Sequence, residues 1–300
     1  MEQKRKFFVT GALFASPWVI GFVIFSLYPI VASFYFSLTE YNVLQPAVFV
    51  GLNNYKELFT EAKFFKSLYN TLYMCVFGVP LNLVFALAMA LLLNLEVKGQ
   101  AIYRTIYYLP SVISVVASAV IWIWVLHPEY GLLNTTLGAL GLPQPVWLAD
   151  PVYTKPSLIM MGMWGSGGTM IIYLAALKGV PKSLYEAAEL DGAGPWKKFT
   201  KITIPAISTA TLFQLVIGLI HAFQYFTQAF IFIEGTNHAT MPGGPENSLL
   251  FYAIYLYQQA FSYLKFGTAS AMAWILFIII VIVTVIVFRT SLKWVYYGGE

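Results

Sequence analysis

Six hydrogen-bonding side chains, Gln214, His221, Gln224, Tyr225, Thr227 and Gln228, lie inside an otherwise apolar stretch. Amides and hydroxyls of this kind match the hydroxyls of a sugar, and aromatic rings match its apolar faces. At helical spacing Gln224 and Gln228 are four apart and share a face with His221. Bonding between neighbouring helices is the competing use of the same groups. His221 has no Asp or Glu in its own stretch to pair with, which weakens a proton-relay role. A second polar set interrupts the apolar pattern from Lys178 to Pro205 and reads KGVPKSLYEAAELDGAGPWKKFTKITIP. Connections are usually a few residues long, and longer ones tend to be functional.

Other chemistries find no residues to carry them. His127, His221 and His238 are far apart, with no HExxH and no paired cysteines, so no metal site is expected. No spacing suggests a nucleophile elbow, so no catalytic residue is expected either. The sequence lacks GxxxxGK[ST], and Gly165-Ser166-Gly167-Gly168 falls within an apolar stretch without the rest of a dinucleotide fingerprint. Basic runs interleaved with aromatics are missing, which argues against nucleic acid. The lone Cys75 reads as a small buried hydrophobe.

The elements that must position these residues are membrane helices. The chain is 59% hydrophobic and 10% charged, whereas a soluble domain is nearer about 25% charged. Six stretches are long and apolar enough to span: 11–38, 67–93, 106–126, 156–177, 206–233 and 268–288. The first carries Pro17 and Pro29, which predict a kink rather than a break. Lys4, Arg5 and Lys6 precede it like the start of a signal peptide, but its length and the spans that follow indicate an uncleaved first helix. With the N-terminus inside, 12 of the 17 Lys and Arg residues fall in cytoplasmic segments and 5 in outer ones. That bias puts both termini and the 178–205 loop in the cytoplasm. Tyr103, Tyr107, Tyr108, Trp122, Trp124, Trp294, Tyr296 and Tyr297 flank spans as interfacial anchors. The domain division expected is 1–66, a first helix with an outer loop, and 67–300, a five-helix core containing the 178–205 loop. Residues 247–263, rich in Leu, Phe and Tyr, read as an interfacial helix. Gly267, Ala269, Ala271 and Ala273 predict tight helix contact.

Within the polar interruption, Pro181 suits a helix start, and Ser183 with Glu186 has capping-box spacing. Leu184, Ala187 and Ala188 form one small apolar face, and Gly192 and Gly194 supply stops. Pro195 opens a second helix with Trp196, Phe199 and Ile202 on one side and Lys197, Lys198 and Lys201 elsewhere. A short, small-surfaced helix suits insertion into a groove on a partner. Lying flat on the membrane is the alternative, and it fits the second helix better than the first.

Glu-Ala-Ala, three residues, Gly, nine residues, Ile-x-Leu-Pro is the signature that these residues resemble, that of permease subunits of binding-protein-dependent ABC importers. The match falls on Glu186, Ala187, Ala188, Gly192, Ile202 and Pro205, with Ile204 standing where the signature has Leu. Phe49-Val50-Gly51-Leu52-Asn53-Asn54-Tyr55, Leu109-Pro110 and Gly243-Gly244-Pro245 are similar to the carbohydrate branch, which includes maltose, oligosaccharide and glycerol-3-phosphate permeases. The resemblance covers nearly the whole chain.

This resemblance implies an all-α membrane fold of six transmembrane helices with a cytoplasmic coupling helix, the type I importer permease fold. Coupling to a cytoplasmic ATPase would fall on Leu184, Glu186, Ala187, Ala188, Asp191, Gly192 and Gly194. Glu186 would cap the helix or meet a basic group on the ATPase. The sugar pathway would be lined by Phe223, Gln224 and Thr227, with Gly165 and Gly168 opposite leaving room for solute. Implied partners are a second, homologous permease, two ATPase subunits that bind ATP and Mg, an extracytoplasmic solute-binding protein and membrane lipid. The chain itself would bind no cofactor and sit in a bacterial or archaeal cell membrane. An ion- or proton-coupled secondary transporter is the runner-up, but no Asp or Glu sits inside any of the six stretches.

Overall fold

The computed structural model describes residues 2–95, 98–236 and 242–296, with side chains from residue 10 onward. His238, Tyr297 and the side chains of Lys4, Arg5 and Lys6 lie outside the described residues. Among the described residues three helices are long and apolar enough to cross a membrane: α1 (Thr10–Ser37), α2 (Ala62–Asn94) and a last helix, Phe266–Ser291. Three bent pairs bring the total to six. These are α3 (Gln100–Val112) with α4 (Val115–Val125), bent by 101°; α5 (Pro151–Trp164) with α6 (Gly167–Lys178), bent by 50°; and, after α7 (Lys182–Leu190), α8 (Pro195–Ala206) with α9 (Ser208–Phe223), bent by 63°. α10 (Thr227–Gly235) follows, and the last helix is α11.

Prolines do not break these helices, and the reason is local. Five-residue π turns run over Val23–Leu27, Met74–Gly78 and Phe199–Thr203, each ending two residues before a proline: Pro29, Pro80 and Pro205. A proline ring clashes with the carbonyl four residues back and offers no N–H. Widening the preceding turn by one residue moves that carbonyl away and keeps the ladder closed. The amides of Tyr28, Val79 and Ile204 accordingly bond five residues back, to Val23, Met74 and Phe199.

Three expected spans are not single helices. The 156–177 stretch divides at Gly165 and Ser166, between α5 and α6. The 106–126 stretch divides at Ile113 and Ser114. Pro110 lies in a tight 3-10 turn, Leu109–Val112, and the Ser114 hydroxyl caps α4 by accepting from the Ala117 amide at 3.2 Å. The 206–233 stretch divides at residues 224–226, between α9 and α10.

The chain forms two compact units, Met1–Glu61 with Leu256–Ile278, and Ala62–Tyr255 with Ile279–Glu300. In the first, a two-stranded antiparallel hairpin, β1 (Thr39–Glu40) and β2 (Val48–Phe49), departs from the all-helical expectation over four residues. The Phe49–Tyr55 motif is a clamp. Asn54 donates to the carbonyls of Ser37 (2.8 Å) and Thr39 (2.9 Å), and Tyr55 Oη donates to Ser37 Oγ (2.8 Å). Gly267 packs directly against the Thr39 carbonyl, so the small residues that open α11 do permit close approach. In the second unit, Ala86 and Ala90 of α2, one turn apart, let α6 pack close through Met170, Tyr173, Leu174 and Leu177.

Residues 247–263 do not lie on a surface as one helix. A 3-10 turn, Pro245–Asn247, precedes a short helix, Tyr252–Tyr257, and Leu249, Leu250, Phe251, Tyr252, Ile254 and Tyr255 are all buried. The backbone in between is irregular and must find partners off its own ladder. Asn70 and Thr71 of α2 provide them.

Candidate functional site

A cavity of about 580 Å³ opens in the second unit between α2, α4, α5, α6 and α9. Its hydrogen-bonding wall comes from Asn82, Gln214, His221, Gln224, Thr227 and Gln228, with Trp164, Tyr225 and Phe226 as aromatic surface. Among the described residues no Asp, Glu, Lys or Arg lines it.

The break after α9 brings these groups together. Gln224 is the C-cap of α9, and Thr227 opens α10. The shared helical face predicted for His221, Gln224 and Gln228 is therefore not how they meet. His221 and Gln224 sit at the end of one helix and Gln228 at the start of the next, and the turn between them aims all three at one cavity. Of the five pathway residues implied by the resemblance, Gly165, Gln224 and Thr227 line the cavity. Phe223 is buried in the protein interior at 1% exposure and is not in the wall. Gly168 is also outside the lining, though its missing side chain leaves open space. The glycine that packing demands is Gly167, where a Cβ would lie 2.6 Å from the Tyr107 carbonyl oxygen. Asn82 escaped the sequence reading. Its amide donates to the Gly162 carbonyl at 2.8 Å, across to α5. An Asn between the apolar residues Leu81 and Leu83 of α2 was the available signal.

The second candidate site is α7 with its flanks. The helix runs from Lys182 to Leu190 with Pro181 as N-cap and no side-chain cap. The expected capping box does not form, because Pro181 sets the start one turn position too early and leaves Ser183 inside the helix. Glu186 is exposed and has no hydrogen-bond partner among the described residues. The C-terminus is closed by a Schellman motif: Gly192 donates to the Glu189 carbonyl (3.0 Å), and Ala193 donates to the Ala188 carbonyl (2.8 Å). Gly192 holds φ +70°, the left-handed conformation this cap requires. Gly194 has φ −69° and is the N-cap of α8, so it begins a helix rather than ending one.

Two contacts fasten α7 to α8. The Tyr185 hydroxyl bonds Thr203 Oγ1 at 2.9 Å, and Lys198 Nζ pairs with Glu189 Oε1 at 2.6 Å. Two leucines stand uncovered on its outward surface: Leu190 is 91% exposed and Leu184 48%. Of the seven residues for which the resemblance implies coupling, Leu184, Glu186, Ala187, Asp191, Gly192 and Gly194 are exposed, and Ala188 is half-buried.

Comparison with known proteins shows the family. The family described as binding-protein-dependent transport system inner membrane component matches residues 82–296. A probable ABC transporter permease protein, YesP, of Bacillus subtilis (strain 168) is 41% identical over 299 residues, which cover 99% of this chain and 94% of the relative. The lactose transport system permease protein LacF of Rhizobium radiobacter is 32% identical over 293 residues and 96% of each chain. In the crystal structure of a bacterial ABC transporter that imports the acidic polysaccharide alginate, one chain superposes with a TM-score of 0.77 at 25% identity, covering 97% of both chains. The same transporter solved with an alginate pentasaccharide-bound periplasmic protein gives 0.76. This chain therefore belongs to the family of multi-pass inner-membrane components of binding-protein-dependent ABC importers.

Proposed function

We propose that this chain forms one half of the translocation pathway for a carbohydrate, delivered from outside by a solute-binding protein. The observation that carries the substrate class is the cavity wall. Amides, hydroxyls and an imidazole stand beside aromatic rings, with no fixed charge among the described residues. Such a surface exchanges hydrogen bonds with sugar hydroxyls and covers ring faces without demanding a counter-charge. Gln224, Thr227 and Gly165 are the contacts proposed for this chain, and a homologous second permease completes the wall. The lactose permease relative supports a carbohydrate substrate.

Movement of the solute is driven from α7. Its exposed leucines and helical stiffness suit a groove on a cytoplasmic ATPase subunit. ATP and Mg belong to two such subunits, and this chain contributes no catalytic group. The lysine and arginine distribution supports cytoplasmic termini and a location in the cell membrane.

The test is uptake by sealed vesicles carrying the assembled importer and its binding protein, offered a panel of neutral oligosaccharides, uronates and glycerol phosphate. Uptake is expected for a carbohydrate and only with ATP at the cytoplasmic face. Gln224→Ala and Thr227→Val should each lower the maximal rate about tenfold, roughly 1.4 kcal/mol of barrier, without changing sugar affinity of the binding protein. Uptake that persists on an ion gradient without ATP overturns the proposal.

A further inference from the structure

Lys155 of α5 is 9% exposed, and a buried amine of this kind is retained only where it has a purpose or a partner. Its Nζ donates to Asn70 Oδ1 at 3.3 Å and faces the rings of Tyr69 and Tyr73 at 5.8 and 5.4 Å. Asn70 is itself fully buried and spends its whole amide. Both N–H groups go to loop carbonyls, of Asn247 at 2.8 Å and Leu250 at 2.9 Å. An asparagine amide has one acceptor oxygen and one NH₂, and flipping it exchanges the two. A lysine has donors only, so Lys155 permits one orientation of Asn70, the one that presents NH₂ to the loop. Nearby, Thr71 Oγ1 accepts from the Tyr252 amide at 2.9 Å.

The loop held in this way needs holding. Glu246 and Asn247 have φ of 48° and 54°, left-handed conformations that side chains other than glycine adopt at a cost. At its far end Phe251, fully buried, packs edge-on against Tyr225 with ring centroids 5.2 Å apart. Tyr225 is a wall of the cavity. An unbroken chain of contacts thus runs from Lys155 through Asn70 and the 243–251 loop to the cavity wall.

We propose that Lys155 is a positioning residue for transport: by orienting Asn70 it latches the 243–252 loop behind Tyr225 and so fixes the outward-side wall of the cavity. This rests on the reading of that cavity as the solute pathway and of the loop as lying toward the exterior.

Two measurements on the assembled importer in lipid nanodiscs test it, neither needing the substrate. In hydrogen exchange, Lys155→Met should speed the amides of Leu249–Tyr255 by about tenfold and leave α6 and α11 unchanged. Asn70→Ala should do the same, the double variant should add nothing, and Lys155→Arg should restore protection. In the second measurement, a water-soluble maleimide is added to nanodiscs carrying Gln224→Cys in a Cys75→Ala background. Lys155→Met should raise its labelling rate several-fold, with no change at a Leu190→Cys control. Loop exchange unaltered by Lys155→Met, or accelerated equally throughout the fold, overturns the latch whatever the cavity carries. Faster exchange without faster labelling overturns the link to the cavity. Failure of the carbohydrate reading would show instead in the vesicle assay, with both of these results intact.

Discussion

A methyl group added at Gly167 would lie 2.6 Å from the Tyr107 carbonyl oxygen and 2.8 Å from the Tyr108 Cα, whereas one added at Gly168 meets nothing within 4 Å. Backbone cannot yield as a flexible side chain can, so Gly167→Ala should cost about 1–3 kcal/mol and Gly168→Ala far less. Thermal unfolding of the two variants in detergent checks this, and equal midpoints would refute it. In the sequence these two glycines are indistinguishable. The same holds for asparagines. Asn54, Asn70 and Asn134 each donate to two backbone carbonyls outside their own helix, Asn134 to those of Pro128 and Pro145 at 3.0 and 3.1 Å. An asparagine near a span end reads as a turn former. That it is a clamp depends on which distant backbone arrives beside it. By contrast, Gly192 was legible, because a glycine just beyond a short helix has a local geometric reason to be there.

For α7 the strength of its attachment to α8 matters more than its own stability. A nine-residue helix is marginal alone. The Glu189–Lys198 pair, with Glu189 64% exposed, contributes little, about 0–1 kcal/mol at most. Tyr185 bonding Thr203, a residue 6% exposed on α8, is the firmer tie. Tyr185→Phe keeps the ring and removes the bond, so it should lower solute moved per ATP hydrolysed at least about twofold. Glu189→Gln should leave that ratio near wild type. Simultaneous measurement of uptake and phosphate release distinguishes the two, and a larger loss from Glu189→Gln would contradict this ordering. Sequence spacing identified both short helices, yet misassigned the capping box and Gly194. Ser183 and Glu186 have the right separation, but Pro181 begins the helix before Ser183 can cap it.

Across the whole molecule, large apolar side chains on α1, α2 and α11 face outward, as lipid contact requires. An exposed leucine on α7 has a different meaning under the proposed topology, in which that helix lies outside the bilayer on the cytoplasmic side. Leu190→Asp should therefore leave membrane insertion intact and weaken copurification of the ATPase subunit about tenfold, as expected for loss of an interface anchor. Normal copurification would exclude Leu190 from that interface.

Composition and local pattern were enough to establish the class of protein, the helical stretches and the position of α7, because burying backbone in lipid leaves few options besides helices. The α7 cap was likewise decided by residues within one turn of each other. Only the tertiary structure decided how the helices break and what the breaks are for. The turn after α9 converts residues of one predicted span into two walls of a cavity, with Phe223 buried outside its lining. Lys155 and Asn70 are 85 residues apart and Asn70 and Leu250 180 apart, and nothing in their local sequence relates them. Hydrogen bonds within one helical turn follow from spacing, but those between distant segments depend on packing that no short stretch of sequence contains.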